Sequence, residues 1–128
     1  MPRILMINDD LDLLEICRMT LEGGGHQVET LAHAQRGPLV QLLESFRPDV
    51  ILLDLVMPIA SGEEVMGWLR EEPVSREIPV VVMSASANAE QVAEELAADG
   101  FIPKPFTDDE LLGAVGRLFE GLPEGASP

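Results

Sequence analysis

Between Pro48 and Pro58 the chain carries four consecutive bulky apolar residues, Val50-Ile51-Leu52-Leu53, and then a carboxylate, Asp54. An unbroken apolar run of that length fits a strand covered on both faces, which is the condition of strands in a parallel sheet with helices above and below it. The acid that closes the run then stands where the strand reaches solvent. In open parallel sheets the rim at the carboxyl ends of the strands is where ligands bind, so Asp54 is the first candidate functional residue.

Other apolar runs end in the same way. Ile4-Leu5-Met6-Ile7 ends in Asn8-Asp9-Asp10, Pro79-Val80-Val81-Val82-Met83 ends in Ser84-Ala85-Ser86, and Phe101-Ile102-Pro103 ends in Lys104, the only lysine of the chain. His26 to Leu31 is a shorter, more polar run centred on Val28 and suits a sheet edge. Helical spacing fills the intervals. A helix is expected from about Asp10 to Glu22 with Leu13, Ile16, Cys17 and Leu21 inward, stopped by Gly23-Gly24-Gly25. A second opens at Pro38 with Leu39, Leu42, Leu43 and Phe46 inward and ends before Pro48. Ser61-x-x-Glu64 and Thr107-x-x-Glu110 are capping boxes. The first opens a helix with Val65, Trp68 and Leu69 inward, the second one with Leu111, Leu112, Val115, Leu118, Phe119 and Leu122 inward. Between them Asn88 to Ala98 presents Val92, Ala93, Leu96 and Ala97 on one side.

Five strands alternating with five helices predict an α/β fold, a three-layer doubly wound domain on a five-stranded parallel sheet. The flavodoxin-like order 2-1-3-4-5 places its switch point between the first and third strands, where Asn8, Asp9 and Asp54 end. Residues 1–122 form one domain on this reading, with 123–128 a tail or the start of a linker.

Charge narrows the function. With 23 acidic residues against 8 basic ones the net charge is −15, a field that repels phosphate backbones and disfavours direct contact with nucleic acid or an anionic membrane. No stretch approaches the ~20 apolar residues of a membrane span. Met1-Pro2-Arg3 runs straight into a strand-like segment without a signal peptide's apolar core, so a cytoplasmic location is expected. Cys17 has no second cysteine to pair with and reads as a buried thiol on a helix face. His26 and His33 have no metal-ligand spacing and receive no role.

At the rim, Asp9 and Asp54 converging beside Asn8 make an oxygen-rich cavity suited to Mg²⁺, which takes one or two carboxylates and keeps waters or phosphate oxygens as its other ligands. The opposing reading is a bare carboxylate cluster, unfavourable without a cation. Lys104 and Ser84 favour the site. A lysine beside a hydroxyl offers a cation and a donor to phosphoryl oxygens, and a carboxylate between the metal side and the anion side can attack phosphorus to form an aspartyl phosphate.

These residues resemble the receiver domain of two-component response regulators over essentially the whole chain. The resemblance is carried by Asn8-Asp9-Asp10, Asp54 in Asp54-Leu55-Val56-Met57-Pro58, Ser61-Gly62, Ser84-Ala85 and Lys104-Pro105-Phe106. It implies a signalling domain, not an enzyme in its own right, that promotes its own phosphorylation and dephosphorylation. It makes Asp54 the phosphoacceptor, Asp9 and the Val56 carbonyl Mg²⁺ ligands, Ser84 the switch hydroxyl, Lys104 the partner of the phosphoryl group, and Lys104-Pro105 a cis peptide. The partners implied are a histidine kinase or phosphotransfer protein as donor, and a downstream protein or a second copy on the face of the fourth helix, fifth strand and fifth helix. Phe101, opening the fifth strand, is the candidate residue that turns with Ser84. The chain departs from the pattern at Asn8, where the family usually has an acid. An asparagine can hold a metal-bound water through its carbonyl oxygen, with weaker Mg²⁺ affinity as the expected cost; the plainer reading of Asn8 is a strand-end turn residue. The alternative is a degenerate receiver that binds its partner without phosphorylation. A hydrolase with an aspartyl nucleophile lacks support, because no second acid stands two residues after Asp54.

Overall fold

Alternation in the computed structural model sends successive side chains of each strand to opposite faces, and both faces are covered. The model describes residues 2–55, 61–85 and 88–120. Strands β1 (Arg3–Ile7), β2 (Gln27–Leu31), β3 (Val50–Asp54), β4 (Val80–Ser84) and β5 (Gly100–Pro103) alternate with helices α1 (Leu11–Gly23), α2 (Arg36–Phe46), α3 (Gly62–Glu71), α4 (Ala89–Glu95) and α5 (Asp108–Glu120). The strands pair in parallel in the order β2-β1-β3-β4-β5, as the sequence predicts, with the polar β2 at an edge.

Leu5, Ile7, Ile51, Leu53, Val80 and Val82 face Leu39, Leu43, Val65, Leu69 and Ala93 of α2, α3 and α4. Ile4, Met6, Val50, Leu52, Val81, Met83 and Ile102 face Leu14, Cys17, Leu21, Leu111 and Val115 of α1 and α5. Covering both faces is what makes the runs in β1, β3 and β4 continuously apolar. At ~1.5–3 kcal/mol for each fully buried large aliphatic side chain, these central strands carry much of the stability. They hold their polar ends on a rigid base.

Local chemistry sets the helix boundaries. Asp10 caps α1, accepting the Leu13 N–H, and Gly25 leaves the helix at φ 93°. Both capping boxes form: Ser61 with Glu64, and Thr107 with Glu110, whose reciprocal bonds are 3.1 Å each. Helix α2 starts at Arg36, two residues ahead of Pro38. A proline fits the first turn because its missing N–H would have no intrahelical acceptor there.

Three expectations need correction. The buried stripe of α1 is Leu14, Cys17 and Leu21, while Ile16 is 57% exposed. The segment Leu11 to Cys17 holds more apolar residues than one stripe can bury, so periodicity alone left the stripe's phase open. Helix α4 stops at Glu95, short of Ala98. Ala97 turns left-handed at φ 58° and is exposed, and the Ala98 N–H donates back to the Ala93 carbonyl in a helix-ending turn. Ala97 therefore leaves the inner face, which Ala89 and Ala93 hold. Phe119 and Leu122 fall outside the described side chains, as does the tail. Cys17 is 1% exposed, and desolvation pushes its thiol up to about 11, consistent with an inert core residue.

Candidate functional site

The rim is assembled by the strands. Asp54 and Ser84 are the last residues of β3 and β4, and both are nearly buried, at 4% and 3% exposure. Asn8 follows β1 directly and is fully buried, whereas Asp9 is half-buried in the bend beyond it. The ladder pairs Ile7 with Leu53 and Asp54 with Met83, so the ends of β1, β3 and β4 lie side by side at the switch point. From β5, Lys104 reaches across, and its Nζ donates to Asp54 Oδ2 at 3.1 Å. The Lys104 backbone N–H donates to the Ser84 carbonyl at 3.0 Å, and the Lys104-Pro105 peptide is cis. Asp9, Asp54, Ser84 and Lys104 are thus brought to one rim. Val56, whose carbonyl was expected to ligate Mg²⁺, lies outside the described residues.

The pair is lopsided in exposure, with the lysine side chain 23% exposed and the carboxylate 6%. A carboxylate so withdrawn from water needs a counter-charge, which Lys104 supplies. The lysine end stays close enough to solvent to shift toward an incoming anion. Asn8 makes the bond of a strand-end turn residue. Its Oδ1 accepts the Asp10 N–H at 2.9 Å, which leaves its amide nitrogen without a partner among the described residues.

The donor set fits a hard cation. Asp9 and Asp54 offer two carboxylates, and among the described residues no thiol or imidazole ends a strand at the rim. Among the described residues no group of three or more His, Cys, Asp and Glu is placed to enclose a metal. Two carboxylates are a donor set that Mg²⁺ can take, since it keeps waters or phosphate oxygens as its other ligands.

Gly62 was quoted in the sequence motif without a structural role, and packing supplies one. A Cβ there would fall 2.5 Å from the Leu55 Cα and 2.8 Å from the Asp54 carbonyl oxygen, both backbone atoms with little room to yield. The Gly62 N–H also donates to the Leu55 carbonyl at 3.0 Å, tying the start of α3 to the end of β3. Gly62→Ala is therefore expected to lower stability by about 1–3 kcal/mol. Gly67→Ala, in the open interior of the same helix with nothing within 4 Å of its Cβ, should be neutral or stabilising. Urea unfolding of the two variants checks this; equal midpoints would show that the approach to Asp54 is not tight.

The comparisons give the family and the fold. The family model described as the response regulator receiver domain matches residues 4–116. The response regulator MprA of Mycolicibacterium vanbaalenii is 38% identical over 118 residues, covering 91% of this chain and 49% of the relative. The chain spans about half the length of the curated relatives it matches. Among solved structures, the signal receiver domain of a signal transduction histidine kinase from Syntrophus aciditrophicus superposes with a TM-score of 0.83 at 32% identity, covering 100% of this chain and 97% of that one. The response regulator protein TrrA from Thermotoga maritima, solved in complex with Mg²⁺-BeF, gives 0.78 at 27% identity, covering 92% and 99%.

Proposed function

Because the chain belongs to the response-regulator receiver-domain family, we propose that it is a phosphorylation-operated switch in which Asp54 takes a phosphoryl group from a histidine kinase or phosphotransfer protein. The observation that carries this reading is the Lys104–Asp54 pair at 3.1 Å, set at the switch point of the sheet beside Asp9. A lysine that already touches the nucleophile is positioned to follow the negative charge as it moves onto phosphoryl oxygens.

In the transfer, an Asp54 carboxylate oxygen attacks phosphorus. The phosphorus–nitrogen bond of the donor phosphohistidine breaks, its electron pair returning to the ring nitrogen, and a phosphorus–oxygen bond to Asp54 forms. Lys104 exchanges the carboxylate for a phosphoryl oxygen. Ser84, at the end of the neighbouring strand, offers the hydroxyl nearest the new group. Asp9 and Asp54 would hold Mg²⁺, with the Val56 carbonyl as a further ligand, and the ion would supply the positive charge that lets carboxylates and phosphoryl oxygens share one site. The same groups would serve when water removes the phosphoryl group. Partner binding then changes on the face of α4, β5 and α5. No described helix is long and apolar enough to cross a membrane.

Intact mass measured after incubation with a small-molecule phosphodonor tests the reading. A phosphoryl group gained with Mg²⁺ and absent without it is the expected result. No gain under either condition would leave the degenerate receiver, with its phosphorylation-independent binding, as the better account.

A further inference from the structure

Asn8 is fully buried, yet its amide nitrogen has no hydrogen-bond partner among the described residues. Chemistry fixes which way the amide faces. The Asp10 backbone N–H needs an acceptor and finds Oδ1 at 2.9 Å; the amide nitrogen cannot play that part, so it points elsewhere with both hydrogens unused. A buried donor stripped of water and left unpaired is uncommon enough in folded proteins to require an explanation.

Strand register says what lies beside it. Asn8 comes one step after the Ile7–Leu53 pair and so stands opposite Asp54 on the adjacent strand, about 4.8 Å away between backbones. Alternation places both on one face: Met6 and Leu52, two residues earlier, pack in the cluster under α1 and α5, as does Ile102, two residues before Lys104. Continued by one step, the register sets Asn8, just past β1, on one side of Asp54, and the Lys104 ammonium, just past β5, reaches Asp54 at 3.1 Å.

An amide nitrogen does not ligate a cation, because its lone pair is delocalised and its hydrogens carry positive charge. Its complement is an anion. We infer that Asn8 is an oxyanion-binding residue of this site: when Asp54 carries a phosphoryl group, or an anion that mimics one, Asn8 Nδ2 donates to one of the anion's oxygens or fluorines opposite Lys104. The inference rests on the phosphoacceptor reading and departs from the expectation that Asn8 serves the metal through its carbonyl oxygen. An acid at this position draws in the cation and repels the anion; the amide does the reverse.

Beryllofluoride binding at saturating MgCl₂, measured by calorimetry on the wild type, Asn8→Ala and Asn8→Asp, tests this. The aspartate variant keeps an acceptor for the Asp10 N–H while removing the donor, which covers the case in which the alanine variant fails to fold. Beryllofluoride affinity should fall roughly tenfold in both, the loss expected for one hydrogen bond to a charged group. Mg²⁺ affinity without beryllofluoride should rise in Asn8→Asp and change less than twofold in Asn8→Ala. In ¹⁵N-labelled wild type, the side-chain amide pair missing from both variants should shift on adding beryllofluoride with Mg²⁺ and stay in place with Mg²⁺ alone. Equal beryllofluoride affinity in the variants, or an amide pair that beryllofluoride does not move, overturns the role of Asn8 and leaves the phosphoacceptor reading intact. A wild type that binds no beryllofluoride overturns both.

Discussion

Asp54→Asn is expected to abolish phosphorylation of the chain at every Mg²⁺ and phosphodonor concentration, while the protein remains folded. The asparagine has nearly the same shape, and it closes a strand whose preceding residues, Val50 to Leu53, are fully buried, so the base of the site should hold. What is lost is chemical. A carboxylate oxygen carries the charge that attacks phosphorus, and a neutral amide oxygen is a far weaker nucleophile. The substitution also removes the acceptor of the 3.1 Å bond from Lys104 and one of the two carboxylates available to a cation, leaving Asp9. Asp9 is not expected to substitute as nucleophile, because the Lys104 ammonium is bonded to Asp54, while Asp9 sits in the bend after β1. Intact mass after incubation with a small-molecule phosphodonor and Mg²⁺ is the readout, with circular dichroism to verify the fold. A variant that gains the phosphoryl group to the wild-type extent would show that another residue is the acceptor.

The sequence exposed the parts of the fold that depend on burial. A strand covered on both faces has to be apolar throughout, which made β1, β3 and β4 visible as runs and their polar ends visible as interruptions. Capping boxes at Ser61 and Thr107 work through contacts three residues apart, and they too were legible. Helix α1 was less so, because the phase of its stripe is chosen by the sheet it packs on, and Leu14 won that place over Ile16. The early end of α4 rests on a left-handed alanine, a conformation no residue type announces. At the site, residue identity was enough to gather Asp9, Asp54, Ser84 and Lys104, since strand ends of a parallel sheet share one rim. The bond from the Asp10 N–H to Asn8 fits the strand-end turn reading, but the unpartnered amide nitrogen among the described residues was not legible. Nor was the closeness of Gly62 to the Asp54 carbonyl, which only packing reveals.

Ser84→Ala is expected to separate phosphorylation from its consequence: Asp54 still accepts the phosphoryl group, and the response at Phe101 is lost. Phosphorylation adds about −1.5 to −2 charge and three strong acceptors next to the end of β4. The Ser84 hydroxyl ends the strand beside β3, one step beyond the Asp54–Met83 pair, and a shift of that hydroxyl toward the new acceptors carries the backbone of Ser84 and Ala85 with it. The register then points to the receiver of that movement. Phe101 pairs with Val82, two residues before Ser84, so the aromatic ring lies on the face to which Ser84 belongs, and it packs there as a half-buried member of the cluster under α3 and α4. A half-buried ring at the start of a short edge strand can settle in more than one rotamer. The phosphoryl group can bias that choice only by the difference in its contacts with the two arrangements, and the Ser84 hydroxyl is the contact that differs. Fluorine NMR on a labelled Phe101 should show a shift on phosphorylation in the wild type and at most a tenth of it in Ser84→Ala. Intact mass should show that the variant still carries the phosphoryl group. A full shift in that variant would mean that Phe101 answers to some other element of the site, or that it is ordinary core displaced by the added charge.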